Sequence, residues 1–135
     1  MTDFVRLYLL SMVVFFGLDL IWLGVIADGF YDAHLGHLLA EQVNWGAALA
    51  FYLVFVAGIV HFVTMPAIQN GNAGSALLNG GAFGLVTYAA FDLTCMALFA
   101  DFPAVVVVVD LAWGVVLVGS VAYAGARLAG RVGVH

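Results

Sequence analysis

Residues 103–127, PAVVVVVDLAWGVVLVGSVAYAGAR, form a long apolar run that carries one charged side chain, Asp110, before its final residue. An α-helix rises about 1.5 Å per residue, so this run can cross a bilayer core of about 30 Å. A helix that is apolar on nearly every face belongs in lipid or in the interior of a large protein. The stretch therefore predicts a membrane-spanning helix.

Three more apolar runs precede it, and together they indicate the class of protein. We expect spans over residues 4–27, 43–65, 74–99 and 103–127 of the 135-residue chain, which is 66% hydrophobic and 8% charged. Soluble domains carry about a quarter charged residues, and disordered chains combine low hydrophobicity with high charge. The sequence predicts an all-α fold, a polytopic membrane four-helix bundle that forms a single integral-membrane domain over residues 1–135. Pro66 is expected to end the second span.

The charge of the chain limits its partners. The formal net charge is −5 and the chain contains no lysine, which argues against nucleic acid, since that partner requires a basic surface. The partner that the composition implies is the lipid bilayer. A homo-oligomer is expected if the function needs a pore, because one small bundle has little room for it.

Basic residues indicate the orientation. Arg6, Arg127 and Arg131 all lie beside the two chain ends, and arginine next to membrane spans favours the cytoplasmic side. We therefore predict cytoplasmic N- and C-termini. The first apolar run is interpreted as a retained span and not as a signal peptide, because Asp19 interrupts it and no small-residue cleavage pattern follows.

A helical pattern marks the first connection between spans, residues 28–44. Tyr31, Leu35, Leu38 and Leu39 recur at helical spacing. The pattern predicts a short amphipathic helix, which either lies at the membrane surface or caps the mouth of the bundle.

The same connection contains a candidate metal site. His34, His37 and Glu41 follow one another at i, i+3 and i+7, which places them near one helix face. Imidazole and carboxylate ligands suit a transition metal such as zinc or iron. A metal ion is therefore a candidate cofactor, and solvated surface histidines are the alternative interpretation.

Three aspartates fall inside the expected spans, at matching depth. Asp19, Asp92 and Asp110 each lie about 7 or 8 residues from the non-cytoplasmic end of their span, or roughly 10 to 12 Å along a helix. A carboxylate at the centre of a bilayer is costly, and such residues usually serve a function. The matched depth predicts one shared acidic layer.

Aromatic residues accompany these acids. Trp22 follows Asp19 by three residues and Trp113 follows Asp110 by three, so each indole shares a helix face with an acid of its own helix. Tyr88 precedes Asp92 by one turn. Indole N–H and phenol O–H groups can donate to carboxylates while the rings shield them from lipid. Two further candidates at this depth are Thr94 and Trp45.

The alternative interpretation of the acids is structural, as polar contacts between helices. Such contacts are worth about 0.6 to 2 kcal/mol each, which barely offsets the cost of insertion. Gly80 and Gly84, four residues apart, predict a seam of close helix packing.

Several short patterns resemble a bacterial family of small four-span membrane proteins that is known mainly as a domain of unknown function. The patterns cover nearly the whole chain: Asp19-Leu20-Ile21-Trp22-Leu23-Gly24, Tyr31 with Leu35-Gly36, Asn44-Trp45 with Phe51-Tyr52, Gly81-Ala82-Phe83-Gly84 with Tyr88, Asp92-Leu93-Thr94, and Asp110-Leu111-Ala112-Trp113-Gly114. The family commonly has asparagine after Asp-Leu-Thr, where this chain has Cys95. The resemblance implies a bacterial inner-membrane protein and supplies no activity.

Three functions fit these features. The first is an outward-facing pocket of carboxylates and aromatic rings that binds or conducts a proton, a metal ion or a cationic small molecule. The second is an intramembrane enzyme acting on lipid or another apolar substrate, with an aspartate as acid or base and metal assistance from the histidine cluster. The third is an accessory or assembly subunit in which the buried acids fix helix registry.

Overall fold

Four long helices and one short one make up the described part of the chain. A computed structural model describes residues 2–39 and 42–134. Within these residues the helices are α1 (Thr2–Ile26), α2 (Phe30–Leu35), α3 (Trp45–Gln69), α4 (Ala73–Leu98) and α5 (Ala104–Val132). The four long helices have the length and apolar composition that a membrane crossing requires, and the predicted all-α, four-span architecture is confirmed.

Helix α3 contains a wide turn that the sequence analysis missed. Its turn Val60–Thr64 is π-helical, and the N–H of Met65 bonds to the carbonyl of Val60, five residues back. Pro66 follows at the start of an α-helical segment, where its missing N–H is tolerated. The prediction that Pro66 ends the span was therefore wrong, and the helix continues to Gln69. The widened turn gives room to the proline ring.

Helices α4 and α5 approach each other closely along a glycine seam. A methyl group at Gly84 would overlap the carbonyl oxygen of Gly114, and one at Gly80 would come within 2.9 Å of the Cα atom of Gly119. The predicted close packing at Gly80 and Gly84 is confirmed. Such seams let van der Waals contact between backbones hold helices together without large side chains.

The two ends of the bundle are built differently. Near the chain termini, side chains of α1, α3 and α5 fill a tight apolar core, and its fully buried members include Leu7, Val56, Ile59, Val60, Leu117, Val118 and Val121. Arg6 donates to the carbonyl of Gly133 over 3.4 Å, so both ends of the described chain lie together. We call this the terminal end. At the opposite end, residues 45–59 of α3 meet α4 chiefly through aromatic rings, with Phe55 stacked 6.0 Å from Phe83.

The first connection folds back over that opposite end. Helix α2 ends at Leu35, next to Gly36, which disfavours helix continuation. Leu38 and Leu39 follow in turns and are about half exposed, at 42% and 49%. The helix is thus shorter than the apolar pattern predicted. His37 lies 3.2 Å from the carbonyl of Asp101 in the connection between α4 and α5, so the segment packs across the bundle.

The seam yields a test of the fold. Gly84→Ala should lower the free energy of unfolding by about 1–3 kcal/mol, because the added methyl meets backbone and forces the helices apart. Gly17→Ala on α1 is the matched control, since nothing lies within 4 Å of the methyl it adds. Titration with SDS, followed by circular dichroism, measures both. Equal unfolding midpoints for the two variants would contradict the seam.

Candidate functional site

Two of the acids face one cavity. Asp19 on α1 and Asp110 on α5 both line a cavity of about 190 Å³ at the end of the bundle opposite the termini. Aromatic rings supply most of its remaining wall, and these belong to Trp22, Tyr31, Phe51, Tyr52, Tyr88 and Trp113. Residues from α1, α2, α3, α4 and α5 therefore meet at this point.

The two indoles stack on each other between α1 and α5. The rings of Trp22 and Trp113 lie 4.5 Å apart and within 7° of parallel. Trp113 donates its N–H to Asp19 over 3.4 Å, whereas Trp22 donates to the hydroxyl of Tyr31 over 3.1 Å. The expectation that each indole serves the acid of its own helix is therefore corrected. Stacking across the helix interface turns the N–H of Trp113 toward the neighbouring helix.

Tyr31 forms a hydrogen bond with the second acid, Asp110. Its hydroxyl donates to Oδ1 of Asp110 over 2.8 Å while accepting from Trp22. Burial raises the pKa of the Tyr31 phenol, so at neutral pH the hydroxyl keeps its proton and remains a donor. A residue of the first connection thus holds an acid of α5.

Tyr52 and Tyr88 complete the wall. The hydroxyl of Tyr52 donates to Oδ2 of Asp19 over 3.4 Å. The ring of Tyr88 lies against Gly114, where any Cβ atom would overlap the ring. Gly114 therefore permits Tyr88 to enter the space between α4 and α5, and this explains the glycine that ends the second Asp-Leu-x-Trp segment.

The third acid, Asp92, is buried behind Asp110. Its side chain is 1% exposed, and neither carboxyl oxygen has a hydrogen-bond donor among the described residues. It lies close enough to Asp110 for a side-chain hydrogen bond. Two ionised carboxylates have no donor between them, so this bond requires a proton on one of the two acids.

A larger cavity adjoins the first. It has a volume of about 370 Å³ and is lined by Phe51, Phe55, Thr87, Tyr88, Phe91 and Asp110. Phe51, Tyr88 and Asp110 line both spaces. We call the smaller one the acidic cavity and the larger one the aromatic cavity.

The family of the chain can now be stated. The sequence model of a family described as "Predicted membrane protein (DUF2177)" matches residues 4–127. The chain belongs to this family. The resemblance that the Asp-Leu-x-Trp segments indicated is thereby confirmed, and membrane residence with it. No curated protein and no solved structure matches the chain.

Two of the site residues predicted from the sequence, Trp45 and Thr94, lie away from both cavities. Trp45 is 73% exposed at the start of α3, and Thr94 is exposed on α4; neither lines either cavity. Depth along a helix placed both at the level of the acids, but the helix rotation turns them outward.

The candidate metal ligands are only partly described. Nδ1 of His34 lies 2.9 Å from the carbonyl of Phe30, and His37 contacts the carbonyl of Asp101. Glu41 lies outside the described residues. Among residues 2–39 and 42–134, no group of three His, Cys, Asp or Glu side chains is arranged to hold a metal ion.

Seven residues that line the two cavities were not predicted as site residues from the sequence; they are Leu23, Tyr31, Phe51, Tyr52, Phe55, Thr87 and Phe91. Tyr31, Phe51 and Tyr52 all stand in the patterns that carried the family resemblance, and this was the available signal. Thr87 had none. Its hydroxyl bonds to carbonyls of its own helix, at 2.9 Å from that of Phe83.

The Tyr31 contact generates a prediction. Tyr31→Phe removes the donor to Asp110 and should loosen the first connection by about 1–2 kcal/mol, the usual cost of leaving a buried acceptor unpaired. Hydrogen–deuterium exchange of residues 27–39 in detergent should then quicken. Asp32→Asn is the matched control, because that side chain is exposed on the same helix. Unchanged exchange in Tyr31→Phe would contradict the assigned contact.

Proposed function

We propose that this protein binds a small organic cation in the acidic cavity. The single observation that supports this most is that Asp19 and Asp110, from two different helices, face one space walled by aromatic rings. An ammonium group is attracted both by carboxylates and by the faces of Trp and Tyr rings. A site with both features therefore suits a quaternary or protonated amine.

The charge distribution supports a cation as the ligand. None of the residues that line the two cavities is basic. The three arginines, Arg6, Arg127 and Arg131, belong to the first turns of α1 and the last turns of α5. The acids therefore face the cavity without a balancing positive side chain, and a bound cation would offset their mutual repulsion.

The wall chemistry favours an organic cation over a metal ion. Metal ions prefer several oxygen, nitrogen or sulfur ligands at close range, whereas the acidic cavity offers mostly ring faces. A metal ion at His34, His37 and Glu41 would be a separate site and stays a prediction.

The proposed setting is the bacterial inner membrane. The arginines near the terminal end support cytoplasmic termini by the positive-inside rule, so the acidic cavity would lie toward the external face. A homo-oligomer is proposed only for a transport function, since the described bundle encloses cavities of modest size.

The test measures binding of tetramethylammonium by calorimetry to protein in nanodiscs of digalactosyldiacylglycerol, a neutral lipid whose head group has no ammonium. Asp19→Asn and Asp110→Asn should each weaken binding by about tenfold or more, because each removes a charge that faces the ligand. Asp3→Asn is the control, since that acid is exposed at the start of α1.

Two results would reject the proposal. One is the lack of saturable binding to the wild-type protein. The other is unchanged affinity in both site variants. If those variants lost stability without any separable binding, the acids would be structural, as in an accessory subunit.

A second candidate ligand is a proton shared by Asp92 and Asp110. The unpartnered carboxyl oxygens of buried Asp92 support it, because a buried carboxylate without a donor is strongly destabilising. One proton between the two acids would supply the missing hydrogen bond.

This candidate predicts a pH effect with a definite sign. Raising the pH until the proton leaves would bury two charges together, so wild-type stability should fall as pH rises. Asp92→Asn should remove most of that fall, because its amide can donate to Asp110 at any pH. Infrared spectra should show the carbonyl band of a protonated carboxyl in the wild-type protein and in Asp19→Asn, but not in Asp92→Asn. The same band in all three proteins would contradict a shared proton.

A further inference from the structure

We infer that the cation bound at Asp110 is an amphiphile, and that its apolar chain occupies the aromatic cavity. This rests on the proposed function, because it assigns a substrate class to the same site. The carrying observation is that the two cavities adjoin and have Asp110 and Tyr88 in common. A cationic head at Asp110 would therefore have space for a chain directly beside it.

The walls of the aromatic cavity suit a hydrocarbon chain. Phe51, Phe55 and Phe91 present rings, and Asp110 is its one charged lining residue. The Thr87 hydroxyl is already bonded to carbonyls of its own helix, so that side chain offers mainly its methyl group. The aromatic cavity has a volume of about 370 Å³, roughly twice that of the acidic cavity, about 190 Å³. This volume exceeds what a methylammonium-sized head needs.

Two rings that line the aromatic cavity are exposed on the side of the bundle, and we infer that the mouth of the cavity lies between them. Phe51 on α3 and Phe91 on α4 are 53% and 62% exposed, and both helices are candidate membrane spans. Residues 45–59 of α3 contact α4 through aromatic side chains such as Phe55, which stacks on Phe83. An amphiphile already dissolved in the lipid could enter between α3 and α4 without passing through water.

Charge complementarity selects this occupant over a neutral lipid chain. The cavity ends on Asp110, whose Oδ1 accepts from Tyr31, while the buried acid Asp92 lies beside it. A neutral chain would leave this acidic end uncompensated. A cationic head would pair with it and place the chain along the rings.

The experiment uses a homologous series: tetramethylammonium, then butyl-, hexyl- and octyltrimethylammonium, titrated into protein in digalactosyldiacylglycerol nanodiscs, whose lipid has no ammonium group. Empty nanodiscs correct for partition into lipid. Affinity should rise by up to about fourfold per added methylene, the gain expected for burying that group, and should level off when the cavity is filled. Asp110→Asn should weaken binding of every member of the series.

Two neighbouring positions give a matched pair of variants. Thr87→Phe fills the aromatic cavity, so the ratio of octyl to tetramethyl affinity should collapse toward one. Val86→Phe makes the same change on an exposed face of α4, at 67% exposure, and should keep the wild-type ratio. If the Thr87→Phe variant does not fold, Thr87→Leu, which fills less of the cavity, replaces it and should lower the same affinity ratio.

The outcomes separate the two proposals. If tetramethylammonium does not bind in an Asp110-dependent manner, the proposed function fails. If it binds but affinity does not rise with chain length, or Thr87→Phe matches Val86→Phe, only the amphiphile is rejected. Octanol binding with the same Thr87 dependence and no Asp110 dependence would show a neutral occupant. Disulfide cross-linking between two copies that carry Phe91→Cys, together with no gain of affinity with chain length, would show that a second copy covers the mouth. Either the octanol result or the cross-linking result would overturn the inference.

Discussion

A carboxyl group inside an apolar helical bundle needs a hydrogen-bond donor or a proton from elsewhere in the fold. Asp19 receives the N–H of Trp113 from α5 and the hydroxyl of Tyr52 from α3. Asp110 receives the hydroxyl of Tyr31 from the first connection. Asp19 and Asp110 are thus each satisfied by parts of the chain other than their own helix. This requirement draws three long helices and the connection together at one end of the bundle.

The remainder of the structure makes that arrangement rigid on one side and open on the other. Close backbone contact at Gly84 and Gly114 holds α4 against α5, near enough for Asp92 to reach Asp110. The apolar core at the terminal end fixes α1, α3 and α5. Residues 45–59 of α3 are less constrained and contribute rings instead of backbone contacts. The cavities occur where this looser half faces the rigid pair.

Much of this could be predicted from sequence, because bilayer thickness and hydropathy determine which segments can span. Counting residues along helices also placed Asp19 and Asp110 at a common depth. Helix rotation could not be obtained in this way, and for that reason Trp45 and Thr94 were grouped with the acids although both point outward. The i, i+3 spacing predicted the helix face of each tryptophan but not the acceptor to which its N–H donates. The acceptor depends on the stacking of the two indoles, which belong to helices that are far apart in sequence.

Two other features did not follow from the local sequence pattern. Pro66 has no N–H for α-helical bonding, yet a π-helical turn directly precedes it and α3 continues to Gln69. Tyr31 stood in a pattern that predicted a short helix, either at the membrane surface or capping the mouth of the bundle, and the connection folds back and places its hydroxyl on Asp110. Pro66 does begin a new α-helical segment and Tyr31 does lie on a short helix. The sequence pattern showed neither that α3 would continue past the proline nor that Tyr31 would reach Asp110.

The hydrogen bond from Trp113 of α5 to Asp19 of α1 has a consequence for biosynthesis. Helix α1 leaves the ribosome well before α5, so Asp19 enters the lipid phase before Trp113 exists to pair with it. The nascent first helix therefore carries an unsatisfied acid until α3 supplies the hydroxyl of Tyr52 and, later, α5 supplies the N–H of Trp113. A chain stalled before α5 would lack the Trp113 donor, so its Asp19 would stay less satisfied than in the complete bundle. That difference would distinguish an incomplete product from a complete one inside the membrane.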